Sequence, residues 1–179
     1  MEAREFDVVI WGATGFTGQL VAEYMFRQYG VEGDVSWAIA GRNLEKLDQV
    51  ALTAAGNQAD QIPRIVADTT DRDAINEMVQ RTRVVCATVG PYALYGTVLV
   101  EACATHGTHC CDLTGEVQWM VRTIEGFQSL AESSGAKIVH TCGFDSIPSD
   151  MGVYFLQQQM RALHDTQAVE VKYRVADTA

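Results

Sequence analysis

Three glycines follow a short apolar segment near the amino terminus, each three residues after the last. The segment 6–11 has the composition of a β-strand, and an amphipathic helical pattern follows the glycines. Strand, glycine turn and helix in this order are the context in which a dinucleotide pyrophosphate binds. Gly12 permits the tight turn, Gly15 lets backbone N–H groups approach a phosphate, and Gly18 lets the helix pack on the strand. The pattern predicts an anion site at the positive end of a helix dipole.

The chain continues as alternating strands and helices. Strands are predicted at 34–40, 62–67, 83–89, 108–113 and 136–141, with helical patterns between them. In the first helix, one side carries the apolar residues Leu20, Val21, Tyr24, Met25 and Tyr29. Such alternation implies an α/β fold with a doubly wound parallel sheet, and the glycine turn after the first strand favours the Rossmann strand order 3-2-1-4-5-6.

The carboxyl-terminal part departs from this alternation. Pro148 opens a further helix that extends to about Leu163, and residues 168–175 alternate like an antiparallel strand. We therefore expect a dinucleotide-binding domain over 1–163. Residues 164–179 are expected to begin a truncated second domain, for substrate binding or dimerisation, of a longer protein.

Composition narrows the class of protein. The net charge of −10 argues against a nucleic-acid partner, since phosphate binding requires clustered Lys and Arg. The five cysteines lack metal-type spacing, which favours reduced thiols over a metal site. No apolar run approaches the ~20 residues that span a bilayer, and the amino terminus lacks signal-peptide features. The chain is expected to be cytoplasmic, with no metal and no membrane-spanning segment.

The end of the second strand predicts which cofactor binds. NAD-specific folds usually carry a carboxylate there for the ribose 2′-hydroxyl, whereas this chain has Gly41, Arg42 and Asn43. A guanidinium pairs with a 2′-phosphate, so NADP is expected rather than NAD. Asn43 is either a helix cap or a phosphate donor. Asp68, at the end of the third strand, is either an adenine contact or a turn former.

Two further segments lie at the same edge of the predicted sheet. Residues 89–92 follow the fourth strand, where Gly90 permits close approach and Pro91 stiffens the turn. Tyr92 is either a proton donor or a packed aromatic. In the segment 111–116, either Asp112 and Glu116 orient a substrate, or Thr114 caps the next helix with Glu116 supporting it.

Five segments together resemble a known family. Residues 12–18, 40–43, 89–92, 111–116 and 143–150 read GATGFTG, AGRN, VGPY, CDLTGE and GFDSIPSD. Their sequences and order resemble saccharopine dehydrogenase-like oxidoreductases, in particular the branch that includes the trans-acting enoyl reductases. The resemblance covers essentially the whole chain.

The resemblance implies a role for each segment. The residues implied to line the pyrophosphate are Gly12, Thr14, Gly15, Phe16, Thr17 and Gly18. The remaining implied cofactor contacts are Arg42 and Asn43 at the 2′-phosphate, Asp68 near the adenine, and Gly90, Pro91 and Tyr92 near the nicotinamide. The loop that contains Asp145 corresponds to one close to substrate, so Tyr92 and Asp145 are the candidate catalytic residues.

The implied activity is NADP(H)-dependent hydride transfer to a small-molecule or lipid-like substrate, with enoyl reduction as one form of it. A carboxyl-terminal domain would complete the substrate site and mediate association into a homo-oligomer. A second hypothesis is a non-catalytic NADP-binding redox sensor or scaffold. A third is a structural domain whose glycines only pack. Cofactor binding separates the third hypothesis from the others.

Overall fold

Within the described residues, six parallel strands form one sheet, and numbered along the chain they lie in the order 3-2-1-4-5-6. The structure is a computed structural model and describes residues 4–175. Every neighbouring pair in the sheet is parallel, as expected when each strand is followed by a crossover helix. The predicted fold class and strand order are confirmed.

The strands are β1 Phe6–Trp11, β2 Trp37–Gly41, β3 Arg64–Val66, β4 Thr82–Ala87, β5 His109–Asp112 and β6 Ile138–Val139. The helices are α1 Phe16–Tyr29, α2 Leu44–Ala55, α3 Arg72–Arg81, α4 Tyr92–Tyr95, α5 Thr97–His106, α6 Val117–Ser134 and α7 Ile147–His164. A 3₁₀ turn, Gly56–Gln61, leads from α2 towards β3.

The two faces of the sheet bury separate cores. Alternate residues of a strand point to opposite faces, so Trp11 packs with Val85 on the side of α3, α5 and α6. Ile10 packs with Ile39 and Leu47 on the side of α1 and α2. Both faces of β1 and β2 are covered, which explains why these strands are apolar apart from Asp7 near the start of β1.

Small residues, together with part of the predicted apolar side, bring α1 onto the sheet. Gly18, Ala22 and Met25 are the buried residues of α1. Leu20 and Tyr24, expected on the same side as Met25, are 51% and 49% exposed. The helix lies so close to the glycine turn that a Cβ at Gly18 would overlap the backbone of that turn. Close approach therefore selects small residues near the turn. Of the predicted apolar side, Met25 is buried and Val21 packs against the core, whereas Leu20 and Tyr24 are exposed.

The strand predicted at 168–175, as the start of a second domain, is not formed within this chain. These residues have neither helical nor strand structure, and 176–179 lie outside the described residues. A strand requires a neighbour for its backbone groups, and none of the described strands pairs with this segment. Gln157 of α7 instead exchanges two hydrogen bonds with the backbone of Ala168, at 2.9 and 3.0 Å. The domain boundary near residue 163 stays a prediction.

Arg4 ties together the ends of two helices at the amino edge of the sheet. Its guanidinium donates to the carbonyl oxygens of Val79 at 2.7 Å, Gln80 at 2.6 Å and His106 at 2.7 Å. These carbonyls lie at the negative ends of α3 and α5. We expect Arg4→Ala to lower the free energy of unfolding by about 2–4 kcal/mol, measured by urea denaturation.

The matched control is Arg83→Ala. Arg83 forms an exposed ion pair with Asp7, with 3.3 Å between Nη1 and Oδ1, and such pairs contribute at most about 1 kcal/mol. Equal losses of stability in the two variants would contradict the account of Arg4 given above.

Candidate nucleotide-binding site

A cleft of about 310 Å³ opens at the carboxyl edge of the sheet. It lies at β1, where the strand order reverses: β2 and β3 lie on one side of β1, and β4, β5 and β6 lie on the other. Open α/β sheets bind ligands at such a switch point. The residues that line the cleft come from the loops after β1, β2, β3 and β4. They are Trp11, Gly12, Thr14, Gly15, Gly41, Arg42, Ala67, Thr69, Thr88, Val89, Gly90 and Tyr95.

Two of the three glycines in the turn are required by the fold itself. Gly12 has a φ of +93°, and a Cβ there would lie 2.6 Å from Cγ2 of Val89 and 2.8 Å from Oγ1 of Thr88. A Cβ at Gly18 would overlap the carbonyl oxygen of Gly12 and lie 2.7 Å from Cα of Ala13. These two glycines would be explained even if nothing bound in the cleft.

Gly15 is different, because the protein leaves room for a side chain there. Its φ of −79° and ψ of 166° are open to any residue. The nearest atom to a Cβ at this position would be the carbonyl oxygen of Gly12, at an ordinary contact distance of 3.4 Å. Gly15 is exposed and lines the cleft. Its bare backbone keeps the entrance to the first turn of α1 open.

The first turn of α1 presents free backbone donors at this entrance. Within residues 4–175, no side chain caps the helix and no acidic residue lies in its first turn. The first N–H groups of a helix have no partner within the helix and carry its positive dipole charge. Phe16 and Thr17, both exposed, begin this turn. The geometry fits an anion held by backbone N–H groups.

Thr88 holds the glycine turn against the end of β4. Its hydroxyl lies 3.1 Å from the carbonyl oxygens of both Trp11 and Gly12 and donates to them. The backbone N–H of Thr88 also donates to the carbonyl of Trp11, at 2.8 Å. Sequence reasoning missed Thr88, although its position directly after the apolar run of β4 was a usable signal.

Arg42 lies at the end of β2 and lines the cleft together with the glycine turn. Its side chain is exposed, and among the described residues it forms no ion pair within 4.0 Å. A guanidinium at this position is available to an anion in the cleft. The sequence placed Arg42 and the glycine turn at one site, and the structure brings them together.

The neighbouring polar residues have local partners. Oδ1 of Asn43 accepts a hydrogen bond from the backbone N–H of Lys46 at 2.9 Å, so Asn43 caps α2. Asp68 accepts from the hydroxyl and the backbone N–H of Thr70 at 2.7 and 2.9 Å, which forms a turn. These hydrogen bonds lower the pKa of Asp68, with a smaller contribution from Arg42. Thr69, rather than Asp68, lines the cleft.

The contacts of Tyr92 favour the packing interpretation over the proton-donor one, which stays a prediction. Tyr92 is 5% exposed, its hydroxyl donates to the carbonyl of Ala87 at 2.9 Å, and it accepts from the N–H of Leu113 at 3.3 Å. Burial raises the pKa of Tyr92. Gly90 lines the cleft, Pro91 lies outside its lining, and Tyr95 is the tyrosine that faces it.

The remaining acidic candidates lie outside the cleft lining. The carboxylate of Glu116 accepts from the backbone N–H of Tyr92 at 2.6 Å and of Ala93 at 2.9 Å, and so caps α4. Asp112 is buried, with Oδ2 2.6 Å from Nδ1 of His140, a partner that sequence reasoning missed. Asp145 is exposed in the turn before α7.

Residues 4–175 contain neither a helix suited to cross a bilayer nor a side-chain cluster suited to hold a metal ion. None of the helices there combines the length and the apolar character required to cross a bilayer. No cluster of three or more His, Cys, Asp or Glu side chains there is arranged to hold a metal ion.

A family model described as the saccharopine dehydrogenase NADP binding domain matches residues 8–171. The chain belongs to this family. Among curated relatives of this domain, a trans-acting enoyl reductase of Mycobacterium leprae is 43% identical over 159 residues, which are 89% of this chain and 37% of the relative. One of Mycobacterium bovis is 44% identical over 156 residues, 87% of this chain and 36% of the relative.

A Mycobacterium tuberculosis protein that carries the same designation provisionally is 46% identical over 158 residues, 88% of this chain and 37% of that protein. The chain therefore spans little more than a third of the length of these relatives.

Solved structures agree with the fold. Apo saccharopine dehydrogenase (L-Glu forming) of Saccharomyces cerevisiae has a TM-score of 0.64 at 19% identity, over 89% of this chain and 32% of that one. AtPrR2 with NADP+ and (+)pinoresinol has a TM-score of 0.53 at 12% identity, over 87% of this chain and 54% of that one. At these identities the likeness concerns the fold alone.

Proposed function

We propose that this domain binds NADP(H) and serves as the cofactor domain of an oxidoreductase. The observation that carries the proposal is the open space at Gly15. The fold requires glycine at positions 12 and 18 but tolerates a side chain at position 15. A glycine that the protein does not require for its own packing is explained by a ligand that must approach the backbone closely.

The residues of the turn fit a pyrophosphate. The free N–H groups of the first turn of α1 would donate to phosphate oxygens, assisted by the helix dipole. Thr14 lines the cleft beside Gly15, while the backbones of Phe16 and Thr17 begin the helix. Gly12 and Gly18 would act indirectly, by allowing the turn and the close helix that create this arrangement.

The residues after β2 and β3 fit the adenosine end. Arg42 would pair with the 2′-phosphate of NADP through charge-assisted hydrogen bonds and lie against the adenine face. Asn43 uses Oδ1 for the helix cap, which leaves its amide N–H groups for the same phosphate. Asp68 would act through its turn, which places Thr69 at the cleft.

The loop after β4 fits the nicotinamide end. Gly90 lines the cleft and lets the ring lie close to the backbone, while Pro91 and the buried Tyr92 hold the loop in place. NADPH supplies a hydride when it is bound. Tyr95, which follows this loop, would bring a side-chain hydroxyl to the nicotinamide end of the cleft.

For the whole protein we propose NADP(H)-dependent reduction of an enoyl group in a small-molecule or lipid-like substrate. The support is the 43–46% identity to relatives whose names include trans-acting enoyl reductase. The proposal includes a homo-oligomer formed through a carboxyl-terminal domain. It also includes a cytoplasmic location, which fits five free cysteines.

Calorimetric titration of this chain with NADPH and with NADH tests the cofactor. We expect NADPH to bind at least about 10-fold more tightly, the value of one charge-assisted hydrogen bond of about 1.5 kcal/mol. Absence of binding by both nucleotides would refute the proposed function. Oxidation of NADPH by the full-length protein with an enoyl substrate separates an enzyme from a non-catalytic NADP-binding sensor.

A further inference from the structure

Two cysteines lie side by side on neighbouring strands near the cleft. Cys86 of β4 and Cys111 of β5 are directly paired in the register of the sheet, so their side chains leave the same face. Neighbouring strands are about 4.7–4.9 Å apart, within the range of about 4.4–6.8 Å that separates the Cα atoms of a disulfide. Each thiol is the largest influence on the pKa of the other.

This pair lies where the helical cover of the sheet ends. Ile39 and Ile10, on β2 and β1, occupy the same row as Cys86 and are fully buried beneath α1 and α2. Beyond Ile10, Cys86 and Cys111 are partly exposed, and Val139 at the end of the row is 53% exposed. Because exposure rises along the row, small solutes can reach the two thiols.

A second pair of neighbouring cysteines is buried. Cys103 of α5 and Cys110 of β5 belong to one core cluster and are 0% and 2% exposed. The neighbouring Cys103 thiol and burial raise the pKa of Cys110, so its thiol stays protonated. The contrast between the two pairs makes Cys103 and Cys110 an internal control.

The pKa values also distinguish the two members of the exposed pair. The neighbouring Cys111 thiol lowers the pKa of Cys86, while the Cys86 thiol and burial raise the pKa of Cys111. The thiolate is the reactive form of cysteine. Cys86 is therefore the member that would react first with an oxidant, and Cys111 is placed to react with it next.

We propose that Cys86 and Cys111 form an oxidisable dithiol that hydrogen peroxide converts to a disulfide. The Cys86 thiolate attacks one peroxide oxygen, the O–O bond breaks, and hydroxide leaves, which gives a sulfenic acid at Cys86. The Cys111 sulfur then attacks the Cys86 sulfur, the S–S bond forms and water leaves. Two thiols and one peroxide become one disulfide and two water molecules.

Thiol counting after peroxide treatment tests this modification site. The chain holds five free cysteines, and treatment followed by denaturation and thiol titration is expected to leave three. Peptide mapping is expected to recover a Cys86–Cys111 link, and dithiothreitol to restore five thiols. In Cys142→Ser, which removes the exposed cysteine, the count is expected to fall from four to two.

The variant Cys86→Ser removes the proposed nucleophile and is expected to keep four thiols under the same treatment. The proposal is overturned by an unchanged count in the native chain. It is also overturned by a link that joins Cys142 to Cys111, by a link between the buried cysteines, or by a disulfide between two chains.

Discussion

Replacing Gly15 with valine is expected to abolish NADPH binding and leave the domain folded. The Cβ has room within the protein, since its nearest neighbour would be the carbonyl oxygen of Gly12 at 3.4 Å. The backbone angles of Gly15 suit a β-branched residue. The isopropyl group would then occupy the space in front of the first N–H groups of α1. We expect the dissociation constant for NADPH to rise at least about 100-fold, or about 2.7 kcal/mol, in calorimetric titration.

The matched control places the same side chain on another helix. Gly126 lies in α6, outside the cleft, and nothing in the protein lies within 4 Å of a Cβ built there. Gly126→Val is expected to bind NADPH as the native chain does. Thermal unfolding of both variants checks that each is folded. Unchanged affinity in folded Gly15→Val would remove the main support for a pyrophosphate at this turn.

The strand order could be predicted because it follows from a few strong patterns. Alternating strands and helices require a parallel sheet, and the glycine turn identifies the strand from which the order reverses. Strand ends were predicted less well. The sixth strand was expected over 136–141 and consists of Ile138–Val139, because β5 pairs with only this part of it.

Two apolar patterns of the sequence are only partly buried, or remain unpaired, in the described residues, because packing depends on the surroundings. Leu20 and Tyr24 have helical spacing, yet the backbone contact at Gly18 decides which side of α1 faces the sheet. Residues 168–175 have strand-like alternation, yet the described chain supplies no neighbouring strand for them. A periodic pattern indicates that one side of an element is apolar, but the packing partner determines whether that side is buried.

Only part of the candidate site could be predicted, because a sequence motif does not show how its surroundings pack. The glycine turn and Arg42 follow from motif and strand position, and the structure places them around one cleft. Thr88 and Tyr95 could not be found by motif, because their relation to the cleft depends on how β4 and α4 pack. Tyr92 has the same residue type as Tyr95, and only tertiary burial separates them.

Reversing the charge of Arg42 is expected to weaken the binding of NADPH much more than the binding of NADH. NADPH and NADH differ in the 2′-phosphate, so an interaction with that group affects NADPH alone. Arg42 lines the cleft, and its guanidinium forms no ion pair with the described residues. In Arg42→Glu a carboxylate would repel the phosphate where a guanidinium had paired with it. We expect calorimetry to show NADPH affinity reduced about 100-fold, and NADH affinity reduced less than about 5-fold.

The variant Arg122→Glu controls for the change in net charge. Arg122 is exposed on α6 and does not line the cleft, so the substitution alters the total charge by the same amount at a distance from the proposed site. At 0.1 M salt, charges more than about 10 Å apart are largely screened, and both affinities should stay close to native. If Arg42→Glu weakened NADPH and NADH equally, the guanidinium would act on a part that the two nucleotides share. A different group of the cleft would then have to bind the 2′-phosphate, and the proposed role of Arg42 after β2 would be wrong.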